Sequence, residues 1–184
     1  MIDTIDSDTM LWASTLVRVR RELAELPAEE RNWLALQVAR IGELQTELDR
    51  LFQSIDGPTV CADCRGECCS RARHHATLTN LLSYLLAGEE LPVPDYALTC
   101  PYLGPQGCRI PVARRPFTCT IFLCEALDAR LTGSLRAAYE QVERDLRSTY
   151  EAVAARCPGA SLRGLLIGAQ RVGDGPLLSH PRRC

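Results

Sequence analysis

The sequence predicts a mainly α protein, a helical bundle with an inserted cysteine-rich, loop-rich metal-binding module. Apolar residues recur in steps of three and four along three long segments, the signature of one-sided helices. Eight of the ten cysteines lie between Cys61 and Cys124. Aromatic residues are only 5% of a chain that is 46% apolar, so the core must rest on Leu, Val, Ile and Ala. At 184 residues the chain makes one domain or a small domain with an appendage. We divide it into residues 1–57, an N-terminal helical hairpin; 58–126, the cysteine-cluster module; and 127–184, a helix packing on the N-terminal pair, with a tail.

The first helix is expected over 10–26, where Trp12, Leu16, Val19, Leu23 and Leu26 form a single stripe. Pro27 then interrupts, and Glu29 and Glu30 supply the acidic first turn of a second helix over 30–55. Leu34, Ile41, Leu48 and Ile55 recur every seven residues, with Gln37, Leu44 and Leu51 three positions after the first three. Asp56-Gly57-Pro58 reads as the stop. Residues 76–87 read as a short helix ending at Gly88, and 89–99, with Pro92 and Pro94, as an extended connection.

Beyond the cysteines, Leu135, Val142 and Thr149 alternate with Tyr139, Leu146 and Val153, giving a helix over 134–155. Glu140 with Arg144 and Glu143 with Arg147 support it at the favoured i, i+4 polarity. A last helix is expected over 161–170, followed by an irregular tail. Three heptad-like helices suggest an antiparallel bundle with the module at one end. Burial of the stripes against the module, a homodimer, or a protein partner on the heptad helices are the competing uses.

All 21 basic residues are Arg, which excludes a Schiff-base or P-loop lysine. A net charge of -2 gives no electrostatic basis for nucleic-acid binding. The start of the chain lacks a secretory pattern, and Leu81-Leu82-Ser83-Tyr84-Leu85-Leu86 is too short to span a membrane. A cytoplasmic location is the default, where clustered cysteines bind metal more often than they form disulfides.

Cys61-x2-Cys64 is a chelating pair, because a turn aims two thiolates at one ion at low entropic cost, with Gly57 and Gly66 supplying backbone freedom. Cys68, Cys69, Cys100, Cys108, Cys119 and Cys124 follow within sixty residues. The spacing departs from a bacterial ferredoxin, whose second gap is one residue shorter, and from a radical-SAM site, whose first two gaps are reversed. A zinc ribbon needs a second CxxC pair, and a thioredoxin-like motif needs a βαβ setting.

The run Cys61-Ala62-Asp63-Cys64-Arg65-Gly66-Glu67-Cys68-Cys69 resembles the opening motif of the YkgJ-type CxxCxxxCC cysteine-cluster proteins. Cys100-Pro101-Tyr102-Leu103, Gly107-Cys108-Arg109-Ile110, Arg115-Pro116-Phe117-Thr118-Cys119 and Cys124 are similar to that family's later elements. Pro111 stands where the family carries Tyr, and the gap from Cys108 to Arg115 is one residue longer. The resemblance spans about residues 58–126 and implies a zinc- or iron-chelating domain, in a family that includes the iron–sulfur flagellin lysine methylases.

Four thiolates suffice for one zinc ion or one 4Fe-4S cluster, so eight fill two sites, or one site with four in support. The adjacent Cys68 and Cys69 point different ways in most backbones, which favours service to two sites. All eight clustered cysteines are assigned as metal ligands, and Cys157 and Cys184 are not. His74 and His75 follow closely and are able to replace a thiolate, but an exposed polar role is commoner and neither is assigned. Among the arginines around the thiolates (Arg65, Arg71, Arg73, Arg109, Arg114 and Arg115), Arg115 is the best candidate to donate to sulfur and offset its charge. Ile121-Phe122-Leu123 is an apolar segment suited to shielding a cluster from water.

The function expected is therefore an iron–sulfur or zinc protein in a redox or sensing role. The alternative is a structural zinc module serving interactions. No glycine-rich cofactor loop follows a strand, and no catalytic constellation stands out, so enzymatic activity stays open.

Overall fold

The computed structural model describes residues 7–65, 67–105 and 107–179. The protein is mainly helical. Helix α1 is Ser7–Glu25 and α2 is Ala28–Ser54, joined by Pro27, whose φ of -54° and ψ of 146° turn the chain at the N-cap of α2. Helix α3, Gly57–Asp63, follows directly, and Glu67–Arg71 forms a 3-10 turn. Helix α4 is Leu78–Leu85, and strands β1, Leu103–Gly104, and β2, Gly107–Cys108, make a small antiparallel ladder. A 3-10 turn at Val112–Arg114 leads to α5, Phe117–Ile121, and α6, Glu125–Asp128. Helices α7, Gly133–Arg156, and α8, Leu165–Val172, complete the order.

The heptad residues of α2 are spent inside the chain. Leu34, Ile41, Leu44, Leu48 and Ile55 are buried, and the most extensive helix pair is α2 with α7. From α7, Tyr139, Val142, Leu146 and Val153 are buried, while Leu135 and Thr149 at the stripe's edge are half-buried. The Glu143–Arg147 pair closes to 2.7 Å, and Glu140–Arg144 lies at 4.0 Å.

Helix α1 turns its stripe elsewhere. Its principal helix contact is α8, and Trp12 packs on Tyr96 and Tyr102 with ring centroids 6.5 Å and 6.3 Å away. Those tyrosines come from the 58–126 segment, which therefore supplies part of the same core, together with Leu78, Leu81, Cys100 and Ile110. A second cluster around Leu48, Phe117, Leu127, Leu146 and Tyr150 lies between α2, α5, α6 and α7.

Helix α2 is the spine that seats the cysteine segments, since α3, α4, α5 and the Val112–Arg114 turn all touch it. Gly42 admits that turn: a Cβ there would stand 3.2 Å from the Ala113 carbonyl oxygen. Asp56-Gly57-Pro58 ends α2, but it also begins α3. Asp56 takes a left-handed φ of 60°, and Pro58 falls in the first turn, where its missing N–H costs nothing. The Cys61–Cys64 pair thus sits on a helix and its C-cap instead of a free turn. Gly57 serves space more than backbone freedom, because a Cβ would run into the Phe52 ring; Gly66 lies outside the described residues.

The other helices follow the sequence with shifted ends. The expected 76–87 helix starts later, capped at Thr77 by a reciprocal box with Asn80, and the expected 161–170 helix starts at Leu165, after Gly164. Between α4 and β1, residues 89–99 carry neither helix nor strand.

Candidate metal centre

The eight clustered cysteines lie on six separate pieces of chain. Cys61 lies in α3 and Cys64 caps it, with the Cys64 thiol donating to the Cys61 carbonyl at 3.5 Å. Cys68 and Cys69 are consecutive in the first 3-10 turn, Cys108 is in β2, Cys119 is in α5, and Cys124 is the N-cap of α6. Cys100 is buried just before β1, and the Leu103 N–H donates to its carbonyl at 3.1 Å. All nine described cysteines are free thiols.

Six of them, Cys61, Cys64, Cys68, Cys69, Cys119 and Cys124, line one cavity of about 610 Å³. Phe52, Leu48, Leu127 and Phe122 supply apolar wall, and Arg71, Arg115 and His75 supply polar atoms. The cavity falls in the size range of small-molecule and cofactor sites. Among the described residues no three His, Cys, Asp or Glu side chains are already gathered around a single-ion position.

The electrostatics follow the crowding of thiols. Burial, then the neighbouring Cys64, Cys68 and Cys124, raise the Cys61 thiol above its ordinary value. Cys69 is pushed up to about 11 by burial and then by Cys68, Cys100 and Cys108. Cys119 rises to about 12 for the same first reason, with Cys108, Cys100 and Cys69 as its charged neighbours. Cys119 faces the cavity, so water reaches it although protein surrounds its sulfur. Each thiolate here would repel the others, so burial and crowding favour the neutral thiols.

Arg115 stands where its guanidinium opposes that repulsion, favouring the thiolate at both Cys61 and Cys119. Its backbone is clamped by two buried amides. Gln45 Nε2 donates to the Arg115 carbonyl at 2.5 Å, and Asn80 Nδ2 donates to the Arg114 and Arg115 carbonyls at 2.7 Å and 3.0 Å. These amides fix the start of the Pro116–Cys119 segment from α2 and α4.

Other arginines are engaged away from sulfur. Arg109 donates to the Val93 and Pro101 carbonyls, Arg73 bonds Asp8 and the Tyr96 carbonyl, and Arg114 pairs with Glu89 at 2.6 Å over the Tyr84 ring. Arg65 is exposed at a φ of 54°. Arg71 joins Arg115 on the cavity wall.

His75, not assigned from sequence, touches the cluster with Nδ1 3.4 Å from Cys119 Sγ. Its position six residues after Cys69 was the available signal. His74 turns away to Asp8, at 2.9 Å. Ile121 and Leu123 pack on the second core, while Phe122 stays 53% exposed at the cavity wall, so only part of that apolar segment is in position to shield the site. Cys157 is buried far along the fold, donating to the Leu178 carbonyl at 3.4 Å; Cys184 lies outside the described residues.

In chemistry the donor set fits a thiolate-bound centre: soft sulfur ligands, two arginines on the wall, and a cavity with room for more than one ion. No helix among the described residues is long and apolar enough to cross a membrane. No family model, curated protein or solved structure matches the chain.

Proposed function

We propose that the chain is a metal-binding protein that holds an iron–sulfur cluster, or zinc in its place, through Cys61, Cys64, Cys68, Cys69, Cys100, Cys108, Cys119 and Cys124. The observation that carries this reading is the single cavity of about 610 Å³ walled by six free thiols drawn from separate segments. Six thiols from four separate segments have no packing reason to face one cavity, whereas a soft-metal centre needs such a set; Cys100 and Cys108 lie outside that lining. The motif resemblance to the CxxCxxxCC proteins points the same way.

When bound, an iron–sulfur cluster supplies one-electron chemistry, which suits electron transfer or oxidant sensing in the cytoplasm. The chain's own residues set the conditions. Arg115 lowers the cost of gathering thiolates, Gln45 and Asn80 hold the Arg115 backbone, and His75 contacts the Cys119 sulfur. Phe122 and Leu127 keep one wall apolar.

A structural zinc role is the second reading. The five-residue turn at Glu67–Arg71 and the two-residue strands have little backbone bonding of their own, which metal coordination would supplement. Purification without oxygen, followed by iron, sulfide and zinc analysis, separates the readings. Iron with matching sulfide and a visible absorption band is the expected result. Zinc without sulfide selects the structural role, and a folded chain with neither metal refutes both.

A further inference from the structure

We infer that Cys61 and Cys64 form a thiol–disulfide exchange site, which a small disulfide of the glutathione class oxidises to an internal disulfide when no metal is held. The inference rests on the metal-binding reading only in one consequence, that the joined pair is lost to a metal.

The pair is set by its helix. Cys61 lies within α3 and Cys64 is its C-cap, and the Cys64 N–H donates to the Val60 carbonyl at 3.2 Å, closing the last helical turn over both residues. Residues three apart on such a turn have Cα atoms about 5 Å apart, by the rise and radius of the α-helix. A disulfide takes Cα atoms about 4.4–6.8 Å apart, so the backbone is already within range. The Cβ atoms, about 5–6 Å apart in a regular helix, have to close to about 4 Å. Cys64 has the freedom for that closure. Its ψ is 0°, already off the helical value, and the chain leaves the helix at Arg65 with a φ of 54°. The Cys64 thiol is turned back along its own turn, 3.5 Å from the Cys61 carbonyl oxygen.

Among the described residues, the other cavity cysteines lack this spacing. Cys68 and Cys69 are consecutive, with Cα atoms about 3.8 Å apart, short of the disulfide range. Cys119 and Cys124 belong to different helices, separated by extended backbone at Phe122. Cys100 and Cys108 are not part of the cavity lining.

The two thiols differ in access, and that sets the order of steps. Cys64 is exposed, whereas Cys61 is half-buried and packs on the second core beside Val60. Both open on the cavity of about 610 Å³, which has room for a small reagent. Cys64 loses its proton and its sulfur attacks one sulfur of the small disulfide. That S–S bond breaks, a mixed disulfide forms on Cys64, and the first small thiol leaves with the proton. Cys61 then loses its proton and attacks the Cys64 sulfur. The mixed bond breaks, the Cys61–Cys64 bond forms, and the second small thiol leaves with that proton. The protein gives up two electrons and two protons, and the small disulfide takes both. Sulfur joined in a disulfide has no thiolate to offer a metal.

Oxidised glutathione, added to the full chain after chelation and reduction, tests the site. Trypsin cuts after arginine and releases residues 51–65 with Cys61 and Cys64 as their only cysteines, and residues 66–71 with Cys68 and Cys69. After alkylation in denaturant, peptide 51–65 should be two hydrogens lighter and carry no alkyl group, while 66–71 is fully alkylated. A fully alkylated 51–65, or a dominant cross-link from it to another peptide, overturns the assignment. The bond should form faster in the folded chain than in urea, and equal rates overturn the claim that the helix sets it. Cys61→Ser should accumulate a glutathione adduct on Cys64, whereas Cys64→Ser should leave Cys61 unmodified; the reverse overturns the order of steps. The oxidised chain should take up less zinc than the reduced chain, and equal uptake overturns the exclusion. A chain that takes up no metal in either state refutes the metal-binding reading and leaves the exchange site standing. Zinc uptake with 51–65 still fully alkylated does the opposite.

Discussion

Replacing Asn80 with Leu removes the amide that joins α4 to the loop before Cys119. In the native fold Asn80 Oδ1 accepts from the Thr77 N–H and hydroxyl, each at 2.8 Å, and Nδ2 donates to the Arg114 and Arg115 carbonyls. Gln45 still serves the Arg115 carbonyl after the change, but the Thr77 N–H and the Arg114 carbonyl lose their partner. Asn80 is 5% exposed and Thr77 0%, so water does not readily take over. An orphaned buried polar group costs about 1–3 kcal/mol. Two such groups give about 2–6 kcal/mol, and the similar side-chain volume adds little cavity cost. Urea unfolding of the reduced, metal-free protein is the assay, so that metal affinity does not enter. With a slope of about 2 kcal/mol per molar, the midpoint should fall by about 1–3 M. Because the same amide seats Arg115, the variant should also take up less metal than wild type. A midpoint unchanged to within about 0.3 M, with full metal uptake, would refute the clamp.

Leu146→Ala tests the α2–α7 pairing: Leu146 is 0% exposed in the second core, and its truncation should cost about 2–5 kcal/mol in the same urea assay. A loss below about 1 kcal/mol would show that the stripe is not packed as described. Gly164→Ala sets a Cβ against the His74 carbonyl at a backbone-to-backbone approach, where the Leu165 N–H also bonds the Ala76 carbonyl at 2.6 Å. Thermal unfolding should register a loss of about 3 kcal/mol, and a neutral result would place the two segments farther apart. Asp8 is held below its ordinary 3.8 by the bond to His74 first, and by Arg73. A depressed carboxyl contributes stability above its unfolded pKa and loses it as pH falls through the folded value. Asp8→Asn should therefore lower stability near neutral pH and flatten the stability profile below about pH 4; an acid limb as steep as wild type contradicts the pairing.

The long helices were legible because heptad residues such as Leu34, Ile41 and Leu48 must face a common surface wherever the partner comes from. What that partner is was less legible. Trp12 and Val19 read as a helix stripe, but nothing local says that Trp12 meets Tyr96 and Tyr102. Helix α3 was hidden because Asp56-Gly57-Pro58 is both a stop and, through Pro58, a start. The cysteines were visible at once as candidates, since thiols at short spacing have few other uses in bulk. The amides that position them were not. Gln45 and Asn80 look like surface residues of helices, and their partners lie 70 and 35 positions away. His75 was visible only as a polar residue near Cys69, because its contact with Cys119 depends on how α5 is seated.

X-ray absorption at the metal edge of the chain, purified without oxygen, tests the thiolate centre most directly. The account predicts a first shell dominated by sulfur at about 2.3 Å, lost in step with metal when Cys61 and Cys119 are replaced by serine. A first shell of nitrogen and oxygen, or a folded protein with no bound metal, would contradict it.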